Sequence, residues 1–130
     1  MSVGVLLITH EGIGQALLAV ATRLLRTLPL RTEVLEVPFD ADPDALLPLA
    51  SAALRRVDGG QGVLVLTDLY GATPSNLAAK LARIGTPVRR VSALSLPMLL
   101  RVMNYAELEL DDLPAVAGAG ARNGVIVDEA

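Results

Sequence analysis

The stretch GVLVLTDLYGATPSN, residues 62–76, determines the fold that we predict for this chain of 130 residues. Its first part, Gly62 to Thr67, is the most hydrophobic run of the sequence and has the uninterrupted apolar character of a parallel strand buried on both faces. Thr73 followed by Pro74 matches a common helix start, a capping residue before a proline, and predicts a helix from Pro74 to about Arg83. A buried strand that leads directly into a helix is the repeating unit of an α/β domain.

The alternation of strands and helices continues on both sides of this stretch. Three further strands are predicted at Val3 to Ile8, Thr32 to Val37 and Val88 to Leu94. Four further helices are predicted at about Gly12 to Arg26, Pro43 to Val57, Pro97 to Tyr105 and Asp111 to Ala121. We therefore expect a single α/β domain over residues 1–130. It consists of an open, mainly parallel sheet with helices on both faces, strand order 2-1-3-4 and a short last strand at Val125 to Val127.

The composition limits the class of protein. Hydrophobic residues make up 52% of the chain and aromatic residues 2%, so the core is expected to consist of Leu, Val, Ile and Ala. The absence of cysteine excludes disulfides, thiolate metal sites and thiol nucleophiles, and it is typical of the cytoplasm. There is no basic leader and no run of about 20 apolar residues, so neither export nor a membrane span is expected. The net charge is −3 and the 11 basic residues are scattered, which argues against a nucleic acid partner.

Two chemically useful side chains are predicted at the carboxyl ends of neighbouring strands, where α/β sheets bind ligands. The first strand ends in Thr9-His10, and the strand at 62–67 is followed by Asp68. The ends of adjacent parallel strands lie about 5 Å apart, so His10 and Asp68 are expected to face one cleft. A carboxylate beside this only histidine would fix the tautomer of its ring, which suits a nucleophile or a base. Two alternatives stay open: His10 only caps the strand, and Asp68 only binds loop amides.

The loop from Gly71 to Asn76 leads into the helix predicted at Pro74. The free N–H groups and the dipole of a helix N-terminus favour an anion, so a phosphoryl oxygen would fit there. The hydroxyls of Thr73 and Ser75 would add two donors. An ordinary threonine cap explains Thr73 equally well, but it does not explain why such a loop follows Asp68 and lies beside the only histidine.

A dinucleotide-binding fingerprint is one alternative interpretation. The segment GIGQAL, residues 12–17, comes close to the required glycine pattern, and Glu33 or Glu36 lies about 20 residues further on. Leu17 occupies the position that must be small for the helix to approach the strand, and His10 with Glu11 makes the turn too long. The dinucleotide interpretation is therefore disfavoured.

A phospho-aspartate receiver domain is a second alternative, because it shares the fold class and carries its aspartate at the position of Asp68. A receiver also needs an acidic pair after the first strand for magnesium, and a lysine after its last strand. This chain has Thr9-His10-Glu11 at the first place, and its only lysine, Lys80, lies inside the third predicted helix. A P-loop is absent, and without cysteine or a second histidine no familiar zinc site can form. Neither a metal nor a cofactor is expected.

Four sequence elements occur in one order along nearly the whole chain: a strand ending in Thr9-His10, the segment Gly62 to Asp68, the loop Tyr70 to Asn76, and Leu96-Pro97-Met98-Leu99. In these elements the chain resembles the IIA domain of the mannose/fructose/sorbose family of the phosphoenolpyruvate-dependent sugar phosphotransferase system (PTS). One loop departs from the family. Where the family often has two glycines followed by Ser-Pro-Phe-Asn, this chain has GATPSN at 71–76, which retains a hydroxyl and lacks the aromatic side chain.

The resemblance implies a role for each matching residue. The phosphorylated histidine of the family corresponds to His10, its neighbouring carboxylate to Asp68, and the hydroxyl near the phosphoryl group to Thr73. Ser75 and Gly71 belong to the same phosphoryl-binding loop. The other residues expected in the cleft are Thr9, Tyr70, Asn76, Pro97 and Met98.

The resemblance also implies partners. His10 would receive a phosphoryl group from the carrier protein HPr and pass it to a histidine of a IIB component in sugar uptake. The protein would then be a homodimeric phosphotransferase component, associated at most peripherally with a membrane permease. The chain ends at Ala130 without a IIB domain, so a stand-alone IIA protein is expected. Two alternatives remain: a regulatory phosphoprotein that senses the state of the PTS outside transport, and a module that binds a small ligand in the same cleft.

Overall fold

The structure is a computed structural model that describes residues 2–129. Within these residues the strands are β1 (Gly4–His10), β2 (Thr32–Val37), β3 (Val63–Thr67) and β4 (Val88–Val91). The helices are α1 (Gly14–Leu25), α2 (Pro43–Val57), α3 (Thr73–Leu81), α4 (Leu96–Asn104) and α5 (Leu113–Asn123), with a 3₁₀ turn at Leu110–Asp112. The strands pair in parallel in the order β2-β1-β3-β4, which confirms the predicted fold class and strand order.

The sheet separates two apolar clusters, because β1 and β3 are buried on both faces. On one face Leu7 and Leu66 pack against α1, α4 and α5. On the other face Ile8 and Val65 pack against α2 and α3. The buried apolar side chains are Leu, Val, Ile, Ala and Met, in agreement with the aliphatic core that the composition predicts. Helices on both faces therefore hold the two central strands, and with them the strand ends, in a fixed position.

The starts of α2 and α3 are capped differently. Before α2 the Asp42 carboxylate accepts a hydrogen bond from the Asp44 N–H at 3.0 Å, and Pro43 is the first helical residue, as predicted. Before α3 the cap position is Ala72, and no side chain among residues 2–129 caps the helix. Thr73 is thus the first residue of α3, and its predicted role as the cap is wrong. In the described part of the chain, the N–H groups of this turn therefore have no side-chain acceptor.

The short last strand predicted at Val125 to Val127 is wrong. These residues form no strand, and they are 71%, 74% and 87% exposed. β4 also ends earlier than predicted, at Val91, because Ala93 has a left-handed backbone with a φ of 65°. Within residues 2–129 no strand pairs with the outer side of β4. A short apolar run does not show whether another strand is available to pair with it. The sequence alone therefore could not exclude a strand at Val125 to Val127.

Gly4 marks a close approach of β1 to the end of α2. A Cβ atom at Gly4 would collide with the backbone carbonyl of Val57. We expect Gly4→Ala to lower the free energy of unfolding by about 2 to 3 kcal/mol, because a clash with backbone is relieved only by shifting a whole element. Gly59→Ala is the matched control, since the nearest atom to its Cβ would be 3.9 Å away. Urea unfolding followed by circular dichroism compares them, and equal midpoints would contradict the expectation.

Candidate functional site

His10 and Asp68 meet at the carboxyl ends of the two central strands. His10 is the last residue of β1, Asp68 directly follows β3, and the last strand pair before them joins Ile8 to Thr67. Oδ2 of Asp68 accepts two hydrogen bonds from His10, one from the backbone N–H at 3.0 Å and one from the ring atom Nδ1 at 2.7 Å. The Asp68 carboxylate thus connects the two strands just beyond Ile8 and Thr67, their last paired residues.

The contact at Nδ1 determines which ring nitrogen of His10 is available. A carboxylate accepts hydrogen bonds and donates none, so the proton of the neutral imidazole lies on Nδ1. Nε2 then keeps its lone pair and is the nucleophilic atom of the ring. The His10 side chain is 20% exposed, so part of it is accessible from solvent, whereas its partner Asp68 is only 10% exposed.

The other oxygen of Asp68, Oδ1, is buried and has no hydrogen-bond partner within residues 2–129. Both hydrogen bonds of the carboxylate therefore go to His10, and none goes to the amides of the loop that follows β3. A buried oxygen without a donor costs on the order of 1 to 3 kcal/mol. A negative charge held in this way is suited to stabilise positive charge that develops on the imidazole ring.

Thr9 supports the turn that carries His10. It is fully buried, and its hydroxyl accepts a hydrogen bond from the Gly14 N–H at 2.9 Å and donates one to the His10 carbonyl at 2.8 Å. Gly14 is the first residue of α1, so Thr9 occupies one of the free donors of that helix. Thr9 therefore lies beneath the site and holds the turn, while its side chain does not line an open cleft.

Glu36 accepts hydrogen bonds from two further donors of the same turn. From β2 its carboxylate accepts hydrogen bonds from the N–H of Gln15 at 3.0 Å and from that of Gly12 at 3.1 Å. The bond to Gln15, followed by the bond to Gly12, lowers the pKa of Glu36 below its usual range. The Glu36 carboxylate also places a negative charge at the beginning of α1, which disfavours a phosphate there. Glu36 is engaged with this turn and is not available to a dinucleotide.

The N-terminus of α3 is open by comparison. Gly71 has a φ of 86° and turns the chain into the helix, a conformation that favours glycine. Within residues 2–129 the backbone N–H groups of Thr73 and Ser75 make no hydrogen bond to a protein acceptor. Free N–H groups and the helix dipole attract an anion. At the carboxyl edge of the sheet, α3 therefore offers an anion two free N–H donors.

Ser75 and Tyr70 lie on the side of the loop that faces β4. They belong to the lining of a cleft of about 360 Å³, to which neither His10 nor Asp68 contributes. Ser75 is 7% exposed, so its hydroxyl is almost enclosed, whereas Tyr70 is 80% exposed. The two residues therefore lie beside the His10 pair, towards the outer strand of the sheet.

The other residues expected in the cleft are divided between two helices. Asn76 is exposed on α3. Pro97 is exposed in the first turn of α4, where the Ser95 hydroxyl caps the helix by accepting from the Met98 N–H at 3.2 Å. Met98 itself is 1% exposed and belongs to the core on the α1 side of the sheet. Met98 is therefore a packing residue, and its side chain does not reach a surface cleft.

Phe39 is a site residue that the sequence analysis does not identify. It lies in the loop between β2 and α2, and its ring centroid is 5.3 Å from that of His10, with 31° between the ring planes. Phe39 is 73% exposed. The strand order contains the signal that would have revealed it, because β2 is the other neighbour of β1 and its last residue, Val37, pairs with His10.

Metal sites and membrane spans are both absent from the described part of the chain. Residues 2–129 contain no group of three His, Cys, Asp or Glu side chains that could hold a metal ion. None of the helices in those residues combines the length and the apolar character that crossing a membrane requires.

Comparison with known proteins gives a family match and several relatives. The sequence model of the family described as "PTS system fructose IIA component" matches residues 4–117. The chain is 27% identical over 113 residues to "Transcriptional regulatory protein LevR" of Bacillus subtilis, covering 83% of this chain and 12% of that protein. It is 26% identical over 127 residues to the "PTS system mannose-specific EIIAB component" of Escherichia coli, covering 96% and 39%. The chain thus spans well under half the length of these relatives.

Solved structures show the same fold. The mannose/sorbose-specific IIA subunit of the phosphotransferase system from Enterococcus faecalis superposes with a TM-score of 0.87 at 21% identity, covering 100% of this chain and 97% of that one. At this identity the likeness concerns the arrangement of helices and strands. It agrees with the parallel sheet order β2-β1-β3-β4 described above.

The hydrogen bonds of Glu36 predict a pH-dependent contribution to stability. Because its pKa is lowered in the folded protein from a usual 4.5, the stabilisation is complete above that value and is lost as the pH falls through the folded pKa. We expect Glu36→Gln to lower the free energy of unfolding at pH 7 by about 0.5 to 1 kcal/mol, because the amide keeps only one of the two acceptor oxygens and carries no charge. The difference from the unmodified protein should shrink as the pH falls from 5 to 3.

Urea unfolding at a series of pH values measures this difference. Glu107→Gln is the control, since Glu107 is exposed on a loop far along the chain and its replacement should have little effect at any pH. A difference for Glu36→Gln that stays constant from pH 7 to pH 3 would show that the charge of Glu36 plays no part.

Proposed function

The chain belongs to the family of PTS IIA components, and on that premise we propose that it carries a phosphoryl group on Nε2 of His10. The observation that supports this most directly is the 2.7 Å hydrogen bond between Nδ1 of His10 and Asp68. It keeps the proton on Nδ1 and leaves the lone pair of Nε2 free to attack phosphorus. The protein is then a phosphotransferase component whose intermediate is a phosphohistidine.

The transfer step needs no change in the protonation of His10. The lone pair of Nε2 forms a bond to the phosphorus of a phosphohistidine on an HPr-type carrier. The phosphorus–nitrogen bond of the donor breaks, and its electron pair returns to the donor nitrogen. Positive charge develops on the His10 ring while Nδ1 keeps its proton, and the Asp68 carboxylate stabilises that charge. Transfer onward to a histidine of a IIB component is the same step with the roles exchanged.

The phosphoryl oxygens need donors, and the start of α3 is suited to supply them. The N–H groups of Thr73 and Ser75 have no protein acceptor within residues 2–129, and the Thr73 hydroxyl and the backbone at Gly71 lie in the same turn. At α1, by contrast, Thr9 and Glu36 already accept hydrogen bonds from the first two N–H groups of the helix. Positioning and charge stabilisation of this kind are sufficient for phosphoryl transfer between two imidazoles, without a metal or a cofactor.

A regulatory role is the second candidate. It is favoured by the similarity of the chain to a segment of a transcriptional regulatory protein. The chemistry at His10 would be the same, and only the use of the phosphoryl group would differ: a IIB histidine accepts it in sugar uptake, whereas in regulation the phosphorylated surface controls a partner. For either role we propose a cytoplasmic location and at most peripheral contact with a membrane permease.

We also propose a homodimer. β4 is an edge strand whose outer side pairs with no strand of residues 2–129. Beyond α5, the apolar residues Val125 to Val127 are 71%, 74% and 87% exposed, and the acidic Asp128 and Glu129 follow them. Arg90 is exposed on β4, so its charge is complementary to that of the acidic segment, whereas its neighbour Arg89 already forms an ion pair with Asp111 at 2.7 Å. This pattern fits addition of residues 125–129 from a second copy to the open edge.

A phosphorylation assay tests the proposed function. The chain is incubated with phosphoenolpyruvate, enzyme I and HPr, and the intact mass is measured over time. We expect His10→Ala to take up no phosphate while keeping the circular dichroism of the unmodified protein. Asp68→Asn should slow the uptake roughly 100-fold, because an amide oxygen still accepts from Nδ1 but carries no charge to stabilise the ring. Asp44→Asn, at an exposed ion pair with Lys80, is the control and should leave the rate unchanged.

Two results would contradict the proposal. Acid-labile phosphate on the His10→Ala variant would show that another residue is the acceptor. An unchanged rate for Asp68→Asn would remove the carboxylate from the mechanism. A purified IIB component added after phosphorylation separates the two roles, since loss of phosphate to IIB supports sugar uptake.

Sedimentation equilibrium tests the dimer. Replacing Ile126 with Asp places a charge in the middle of the exposed apolar segment, and we expect this variant to sediment as a monomer where the unmodified protein is a dimer. Leu24→Asp on α1, which is also exposed at 60%, is the control and should remain dimeric. If Leu24→Asp dissociates and Ile126→Asp does not, the interface lies on α1.

A further inference from the structure

Phe39 is held beside His10 by a closed turn. The Ala41 N–H donates to the Pro38 carbonyl at 3.1 Å, which closes a four-residue turn with Phe39 at its second position. Directly after this turn, the Asp42 side chain caps α2. The loop is therefore fixed by β2 on one side and by the start of α2 on the other. Phe39 is the only phenylalanine of the chain, and the fold leaves it 73% exposed instead of using it in the core.

The imidazole of His10 has different neighbours on its two sides, because β1 lies between β2 and β3. From the β3 side, Asp68 holds the proton on Nδ1 at 2.7 Å. From the β2 side, Phe39 places its ring centroid 5.3 Å from the imidazole centroid at an angle of 31°. The centroid distance lies within the range of about 4.5 to 7 Å of interacting aromatic pairs, and the two ring planes are closer to parallel than to perpendicular.

We propose that Phe39 is a positioning residue that stabilises the phosphorylated form of His10, an inference that rests on the proposed function. With a phosphoryl group on Nε2 and the proton kept on Nδ1, the imidazole ring carries a positive charge. The face of a phenyl ring carries partial negative charge and attracts a cation within about 6 Å of its centroid. In the form that attacks phosphorus, with its lone pair on Nε2, the ring carries no such charge, so the contact favours the phosphorylated form over this one.

The contact between Phe39 and His10 affects two measurable quantities. It favours phosphorylated His10 in the transfer equilibrium, and it lengthens the lifetime of the phosphorylated form. In the transfer from HPr, it shifts the distribution of the phosphoryl group towards His10. Loss of the phosphoryl group to water returns the ring to its neutral form, so a contact that stabilises the charged ring also slows this loss. An exposed cation–π pair changes an equilibrium constant roughly 2- to 5-fold.

The first test measures the transfer equilibrium. Each variant is mixed with phosphorylated HPr, and intact masses give the ratio of phosphorylated to free protein. We expect Phe39→Ala and Phe39→Leu each to lower the equilibrium constant roughly 2- to 5-fold, and Phe39→Tyr to keep it, because only an aromatic face attracts the charged ring. Leu49→Ala, at an apolar residue of α2 that is 60% exposed, is the control and should match the unmodified protein. A value for Phe39→Leu equal to that of the unmodified protein would overturn the inference.

The second test does not depend on a protein donor. Phosphoramidate, a small phosphoryl donor, is used to load His10, and the rate of phosphate loss is followed by intact mass. We expect faster loss from Phe39→Ala than from the unmodified protein and from Phe39→Tyr. Equal rates would overturn the role of Phe39. A protein that is loaded by phosphoramidate but not by HPr would overturn the proposed function alone, so the two failures are distinguishable.

The contact itself is measured without any phosphorylation. In the NMR spectrum of the free protein, the ring protons of His10 should shift when Phe39 is replaced by Ala, because they lose the ring current of the phenyl group. The Leu49→Ala control should leave these resonances in place. Unchanged His10 resonances in Phe39→Ala would show that the two rings do not meet, and this result would overturn the inference whatever the outcome with phosphate.

Discussion

The hydrogen bond between Oδ2 of Asp68 and Nδ1 of His10 is the interaction on which the site depends. It joins residues that are 58 positions apart in the chain at a distance of 2.7 Å. This is possible because β1 and β3 are neighbours, run in parallel and end at the same edge of the sheet. Helices pack on both faces of these strands and bury them, so the two side chains have little freedom to separate. The aliphatic core thereby holds Asp68 beside His10, and Asp68 determines which ring nitrogen of His10 carries the proton.

The two helices that follow the central strands have opposite roles at this edge. Thr9 and Glu36 bind the first N–H groups of α1, which keeps the turn carrying His10 in place. At α3 the cap position is Ala72, whose side chain cannot accept a hydrogen bond, and the N–H groups of Thr73 and Ser75 have no acceptor within residues 2–129. Helix N-termini attract anions only where their donors are available. The two helix starts thus differ because side chains accept hydrogen bonds from the first two N–H groups of α1, whereas within residues 2–129 no side chain does so at α3.

Much of the fold and part of the site could be predicted from the sequence, because the signals are local. Continuous apolar runs indicate strands buried on both faces, and Asp42 before Pro43 indicates the start of α2. The positions of His10 and Asp68 directly after apolar runs place them at strand ends. The resemblance to PTS IIA domains adds roles to the same residues, and the family match over residues 4–117 agrees with it.

The sequence by itself therefore determined the α/β class, the strand order and the pairing of the only histidine with a carboxylate. Only the tertiary structure decided how the surroundings are used. Thr73 begins α3 without capping it, Met98 is buried, Val125 to Val127 pair with no strand of residues 2–129, and Phe39 lies 5.3 Å from His10. The physical reason is that each of these outcomes depends on groups from distant segments. Apolar periodicity and capping patterns report on a residue and its near neighbours, whereas the space beside a side chain is set by whichever other element the fold brings there.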